Sequence, residues 1–352
     1  MIQYHKYNLP FLKPFSTSAG VFLNREGIII QGEIQGIHFI GEAAPLPGFS
    51  KETLEDISVF LTKNQSHIEH LFNEDYDLAS FDEHCTDLQA PPSIRFALSS
   101  AMGGYLAQKR GLSLSRYLNS ASPDVVPVNM TLGLIPVDNF YENIISAWKT
   151  GYHTFKFKAG IDFETELEVL KEARKMLPQA RIRIDVNGAW KPAEAINNLQ
   201  RLESISIEYC EQPVAADDLE GLAEVTFHSP IPIAADESVR DVTSANDIIK
   251  QKAANVLILK PMLIGTITDF VQITQLANEV NMGVTVTTSL ESGIGRLATA
   301  HLAASLKQQH FAHGLATGQI LKDDLVDDQK WIQNGVYNLS SKAGLGLDLP
   351  VF

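Results

Sequence analysis

Only two cysteines, Cys85 and Cys210, occur in 352 residues. That is too few for a disulfide framework, so the core alone must hold the fold and a reducing compartment is expected. Long hydrophobic runs are missing as well: the most apolar pieces, such as ANVLILKPMLIG, are strand-sized, and none approaches the length needed to cross a bilayer. The opening stretch MIQYHKYNLPFLKPF lacks the uninterrupted apolar centre of a secretory signal, which makes the cytoplasm the expected location. Positive charge is scarce. Lysine and arginine total 28 against 42 acidic residues, a net charge of −14, which repels polyphosphate and anionic lipid and sets aside nucleic acid and membranes as partners. No GxGxxG follows the first strand, against a dinucleotide-binding open sheet. The ten histidines show no pair at metal-ligand spacing, and Cys210 beside Glu211 reads as a small buried hydrophobe.

What is present is an ordinary globular composition, 45% hydrophobic and 20% charged, in a chain long enough for one large domain plus a smaller one. The first hundred residues combine GIIIQGEIQGIHFIGEAAP, which alternates and turns like an antiparallel hairpin, with helical stretches near KETLEDISVFLTKN and SIRFALSSAMGGYLAQKRG. They read as an α+β domain over 1–120. The polar stretch Asn119–Asn129 is the expected boundary. Beyond it, over 125–320, short apolar strands alternate with amphipathic helices: VPVNMTLGL, TFKFKAG, RIRIDVN, SIEYCEQP, PIAADES, NVLILKP, GVTVTTS and HFAHGLATG. Eight such units predict an α/β fold, a closed (β/α) barrel of TIM type, and the segment 321–352 is expected to return to the smaller domain.

In such barrels the reactive groups sit at the C-terminal ends of strands. Lys158, Asp185, Glu211, Asp236 and Lys260 end successive strands at intervals of 24 to 27 residues. Closure would bring all five to one rim. Three carboxylates close together demand a cation, and all-oxygen ligands suit a hard ion such as Mg²⁺, with Mn²⁺ as a substitute. A helix cap or surface ion pair is the plainer reading of any one acid, but three consecutive strand ends favour a metal. Lys156 and Lys158, two apart on a strand, share a face, and each charge disfavours protonation of the other. A lysine with a lowered pKa can act as a base. Simple pairing with the acids is the alternative, and it suits Lys156 better than Lys158. Arg183 shares the face of Asp185 and reads equally as support for the site or as a structural ion pair. A divalent ion with a lysine base suits removal of a proton beside a carboxylate, because the enediolate that develops carries two negative oxygens.

KFK, DVNGAW, EQP, DES and LKP, in that order and spacing across nearly the whole chain, resemble the enolase superfamily, in the muconate-lactonising subgroup. The resemblance implies a modified (β/α)7β barrel capped by an α+β domain and a small-molecule carboxylate substrate. It also implies Asp185, Glu211 and Asp236 as Mg²⁺ ligands, Lys158 and Lys260 flanking the reacting carbon, and Glu237 behind them. Homo-oligomerisation stays open. TSLESGIGR and AHGLATG look most like the o-succinylbenzoate synthases, the dehydratases of menaquinone biosynthesis. The implied chemistry is loss of water from 2-succinyl-6-hydroxy-2,4-cyclohexadiene-1-carboxylate. N-acylamino acid racemases and dipeptide epimerases are the alternatives within the subgroup. Its dipeptide epimerases usually carry Asp-x-Asp on the eighth strand, where this chain has HGLATG. A non-catalytic metal-binding barrel is the alternative outside enzymes. Ser289, Glu291 and Gly314 fall near the expected carboxylate-binding loops, and the capping loops KPFSTSAG and PLPGFSKE offer Phe15, Ser18, Pro47 and Phe49 as substrate contacts.

Overall fold

The computed structural model describes residues 2–17, 20–134 and 140–347. Three antiparallel strands come first: β1 (Gln3–Thr17), β2 (Gly20–Ile34) and β3 (Ile37–Ala43). Gln35 and Gly36, both at positive φ (53° and 80°), make the two-residue turn that matches the twist of β2 and β3. Four helices follow, α1 (Leu54–Asn73), α2 (Leu78–Asp87), α3 (Pro92–Lys109) and α4 (Leu114–Leu118). A capping box between Thr53 and Asp56 starts α1, whose Ile57, Leu61, Ile68 and Leu71 form the buried stripe. α3 opens on Pro92 at its first turn and is buried along most of its length. It lies so close to β3 that a Cβ on Gly41 would fall 1.9 Å from the carbonyl oxygen of Ala97.

The second part is a parallel sheet: β5 (Met130–Leu134), β6 (Thr154–Lys158), β7 (Arg181–Asp185), β8 (Ile207–Glu211), β9 (Ile233–Ala235), β10 (Val256–Leu259) and β11 (Gly283–Val286), side by side in chain order. The intervening helices are α5 (Phe140–Lys149), α6 (Phe163–Met176), α7 (Pro192–Leu202), α8 (Leu219–His228), α9 (Val242–Gln251), α10 (Pro261–Ile264), α11 (Ile267–Glu279) and α12 (Gly293–Ser305). The eighth position is no regular strand. His313 bridges Val128 just before β5, and Gly314 bridges Thr287 just after β11, so two single parallel bridges close the ring. A Cβ on Gly314 would stand 2.4 Å from Thr287 Oγ1, which explains why so short a segment fits there. The stretch read as the first barrel strand is also split: β4 (Val125–Pro127) pairs antiparallel with β13 (Val336–Asn338), which pairs with β12 (Ile332–Gln333), and only Met130–Leu134 joins the ring.

The two parts are fastened at several points. Ile267 N–H donates to Ser99 Oγ at 2.9 Å, and Thr268 donates through N–H and hydroxyl to Asp82 at 3.0 and 2.7 Å. Late in the chain, Leu321 bridges Phe11 and Gly344 bridges Ser113, both in the first part. Between those contacts Asp328 pairs with the buried Arg296 of α12. Residues 348–352 of the expected returning segment lie outside the described residues.

Candidate active site

The ends of β6, β7 and β8 are in register, so that Lys158 is the cross-strand partner of Asp185 and Asp185 of Glu211. Asp236 and Lys260 follow directly on β9 and β10. All three acids are buried, at 0, 1 and 3% exposure, and such carboxylates keep their charge only if partnered. Lys156 reaches Asp185 at 2.8 Å and Glu211 at 2.5 Å. Lys158 donates to Asp185 Oδ2 and Asn187 Oδ1, each at 2.7 Å. Lys260 donates to both oxygens of Asp236, at 2.6 and 2.5 Å. Asn187 sits at φ 49°, a left-handed position that asparagine tolerates, and passes the network on by donating to Glu237 Oε1 at 2.8 Å. Gln212 accepts the N–H of Asp236 at 2.9 Å and of Ser238 at 3.3 Å, fixing the loop that carries Asp236.

Electrostatics differ from the sequence expectation at one point. Burial pulls the Lys156 ammonium toward neutrality, yet Asp185, Glu211 and Asp236 outweigh it and hold its pKa well above the ordinary lysine value. Repulsion from Lys158 therefore does not leave Lys156 lowered, because the charges of the three acids set the net direction. Lys260 is treated the same way: burial lowers it, Asp236 and Glu237 raise it further, and the net direction is up. Burial works against the charge of Asp185, but Lys156 and Lys158 bring its carboxyl below the usual range. Glu211 goes the other way, raised well above the usual range by burial and by the charge of Asp185, with Lys156 offsetting only part.

Does this donor set suit a divalent ion? Among the described residues no three Asp, Glu, His or Cys groups stand close enough together to enclose one. Lys156 and Lys260 supply the positive charge between and beside the acids instead. The donor chemistry nevertheless fits a hard cation: every rim acid is a carboxylate, Glu211 is short of positive charge, and the buried Oε2 of Glu237 has no hydrogen-bond partner. Asp185, Glu211 and Asp236 are the residues that could hold the ion.

Above the rim a cavity of about 1070 Å³ is lined by Lys158, Asn187, Asp236, Glu237 and Lys260, with Phe15 and Phe49 entering from the first part of the chain. Lys260 Nζ lies 5.3 Å from the centre of the Phe49 ring. Of the other capping candidates, Pro47 lines a neighbouring pocket and Ser18 lies outside the described residues. Arg183 is fully buried but turned from the rim: it donates to Glu208 and to the Ala312 carbonyl, and it stacks 4.6 Å from the Tyr209 ring. Ser289, Glu291 and Gly314 do not line the cavity. Glu291 folds back to accept from the Ser289 N–H and from Thr299 Oγ1, capping its own loop, while Gly314 belongs to the ring closure. Asn187 and Gln212 escaped the sequence reading, although each stands just past a strand end within a quoted motif, DVNGAW and EQP.

Residues 140–350 match the family described as enolase C-terminal domain-like, and residues 1–104 match the MenC N-terminal domain. An L-Ala-D/L-Glu epimerase of Bacillus subtilis (strain 168) is 27% identical, over 98% of this chain and 95% of the relative. An o-succinylbenzoate synthase of the same strain is 27% identical too, over 99% and 95%. The solved muconate lactonizing enzyme of Pseudomonas fluorescens superposes with a TM-score of 0.86 at 24% identity, covering 99% of this chain and 96% of that one.

Proposed function

Because the chain belongs to the enolase superfamily, we propose that it is an o-succinylbenzoate synthase acting on 2-succinyl-6-hydroxy-2,4-cyclohexadiene-1-carboxylate in menaquinone biosynthesis. The observation that carries this reading is the placement of Lys158 and Lys260, from β6 and just past β10, around one cavity. The MenC N-terminal match supports the synthase over its relatives. So does the eighth segment of the ring, where HGLATG carries none of the acids with which the subgroup's dipeptide epimerases hold a substrate ammonium.

In this proposal Lys158 takes the α-proton of the substrate, and the electron pair left behind moves into the ring as the neighbouring C–O bond breaks. The departing hydroxide takes the same proton back from Lys158 and leaves as water. Lys158 is suited to that exchange, since it is a third exposed and its hydrogen bonds to Asp185 and Asn187 aim it. Lys260, held protonated by Asp236, stays a cation and offsets the negative charge that builds on the substrate. Asp185, Glu211 and Asp236 would hold Mg²⁺ or Mn²⁺, which when bound supplies positive charge to the substrate carboxylate.

Ultraviolet monitoring of the diene tests the reading. Loss of its absorbance with the intact chain and Mg²⁺, and a drop of at least about 10³-fold in kcat for Lys158→Ala, are expected. Binding of the diene acid without consumption would replace the proposal by a non-catalytic barrel, and retained turnover in Lys158→Ala would remove Lys158 as the base. The epimerase or racemase reading draws on the same two lysines, which can take a proton on one face and return it on the other. It predicts solvent deuterium at the α-carbon of L-Ala-L-Glu or an N-succinylamino acid.

A further inference from the structure

Arg25, on β2, lies outside the rim and is only 2% exposed. All of its guanidinium donors are spent on backbone carbonyls and none on a carboxylate. Nε donates to Leu290 O at 3.1 Å, one terminal nitrogen to Glu26 O at 2.9 Å and Pro45 O at 2.8 Å, and the other to Ala44 O and, at 3.3 Å, Ser289 O. One planar cation thus ties the start of the 44–50 loop to the 289–290 loop that follows β11.

In the 44–50 loop Ala44 and Leu46 are buried, whereas Pro47 and Gly48 are exposed. On one side the loop faces the 1070 Å³ cavity through Gly48 and Phe49, and on the other a pocket of about 320 Å³ lined by Phe22, Pro45 and Pro47. Packing holds the buried start of the loop; the tip, between the two openings, depends on how that start is oriented and on hydrogen bonds. Inside the loop, Leu46 N–H donates to Ser50 Oγ, and Leu46 O accepts the N–H groups of Phe49 and Ser50. Those bonds make the turn rigid but do not anchor it. Besides the packing of Ala44 and Leu46, the polar anchors among the described residues are Arg25 and a weaker contact, from the Ala44 N–H to the sulfur of Met262 in α10, 3.4 Å away and two residues past Lys260.

We propose that Arg25 is a positioning residue: by clamping Ala44 and Pro45 against Ser289 and Leu290 it sets the depth at which Phe49 lies over Lys260, and so the shape of the site on that side. The inference rests on Lys260 belonging to the reacting site. Lysine at position 25 keeps the charge but has three donors from a single nitrogen and cannot span the same carbonyls.

The test is a double-substitution cycle, Arg25→Lys, Phe49→Ala and both together, read by kinetics on the diene acid and by amide hydrogen exchange. Expected are a roughly 10- to 100-fold loss in kcat/KM for Arg25→Lys, little further loss when Phe49 is already alanine, and faster exchange confined to 44–50. The exchange arm does not depend on which reaction the protein catalyses, so it separates failure of the clamp from failure of the proposed function. Additive losses, or unchanged exchange at 44–50, overturn the proposal. Should Arg25→Lys not fold, Phe49→Ala with Arg25 intact decides the matter: it must lower kcat/KM by a similar factor without speeding exchange at 44–46, and any other result overturns the proposal.

Discussion

The sharpest stability prediction concerns Glu42, at the end of β3. It is fully buried, and its two oxygens take four hydrogen bonds: the Tyr7 hydroxyl and the Ser292 N–H (2.8 Å) on Oε1, the Ser292 hydroxyl and the Gly295 N–H (2.8 Å) on Oε2. Ser292 and Gly295 begin α12, so a side chain of the first part of the molecule caps a helix of the second. Glu42→Gln keeps the shape and turns one acceptor into a donor. The Ser292 hydroxyl can rotate to accept, but the Gly295 N–H then faces another N–H and goes unsatisfied, costing about 1–3 kcal/mol. The two bonds that survive lose their charge assistance, about 1 kcal/mol together. Loss of negative charge at a helix N-terminus adds about 0.5 kcal/mol. The sum is about 2.5–4.5 kcal/mol. With an unfolding entropy near 2.1 cal/mol/K per residue, this chain of 352 residues should lose about 5 °C in Tm. Differential scanning calorimetry of the parent, Glu42→Gln and Tyr7→Phe provides the assay, with Tyr7→Phe expected to cost only about 1 kcal/mol. If Glu42→Gln melts within about 1 °C of the parent, or no lower than Tyr7→Phe, the four-bond account of Glu42 is wrong.

Two further outcomes follow from particular contacts. His313 accepts the Val286 N–H at 3.0 Å on Nδ1, and burial, helped by the Arg183 charge, lowers its pKa to about 3. The unfolded chain binds a proton near pH 6.5 and the folded one does not, so this stabilisation is complete above pH 6.5 and is lost as pH falls toward 3, with about 2 kcal/mol gone by pH 5. Urea denaturation from pH 7 to 5 should show a flatter pH dependence in His313→Asn, which keeps an acceptor but cannot titrate; equal slopes would remove His313 from the account. Gly41→Ala should fail to give soluble native protein, because its methyl would meet backbone and not a movable side chain; a soluble variant with native circular dichroism would contradict the packing described.

How much of this was readable beforehand depends on the kind of information each residue carries. The rim charges were legible because a repeating strand and helix put Lys158, Asp185, Glu211, Asp236 and Lys260 at one phase of the repeat, and barrel closure does the rest. That Lys156 and Lys158 face inward followed from alternation along a strand. What Lys156 does there did not follow, since its partners arrive from β7 and β8 and only the register brings them within reach. Glu291 was misplaced for a related reason: sequence locates its loop, but the turn at Leu290, with φ 61°, sends the carboxylate back to Ser289 and Thr299. Arg183 illustrates depth along a strand. Two residues before Asp185 is one layer further down the barrel, where Glu208 and Ala312 take its guanidinium. The eighth strand was overread because an apolar run gives no measure of how few residues suffice to bridge two edges.

That economical seam affects how the protein is made. Until residues 313 and 314 leave the ribosome, the growing sheet is an unclosed crescent whose outer strands, β5 and β11, each present bare amide and carbonyl groups. Most of the chain must therefore be synthesised before either margin can be covered. A product terminated near residue 310 would hold every rim charge and still behave as an adhesive ribbon, seeking in its neighbours the stitch it never received.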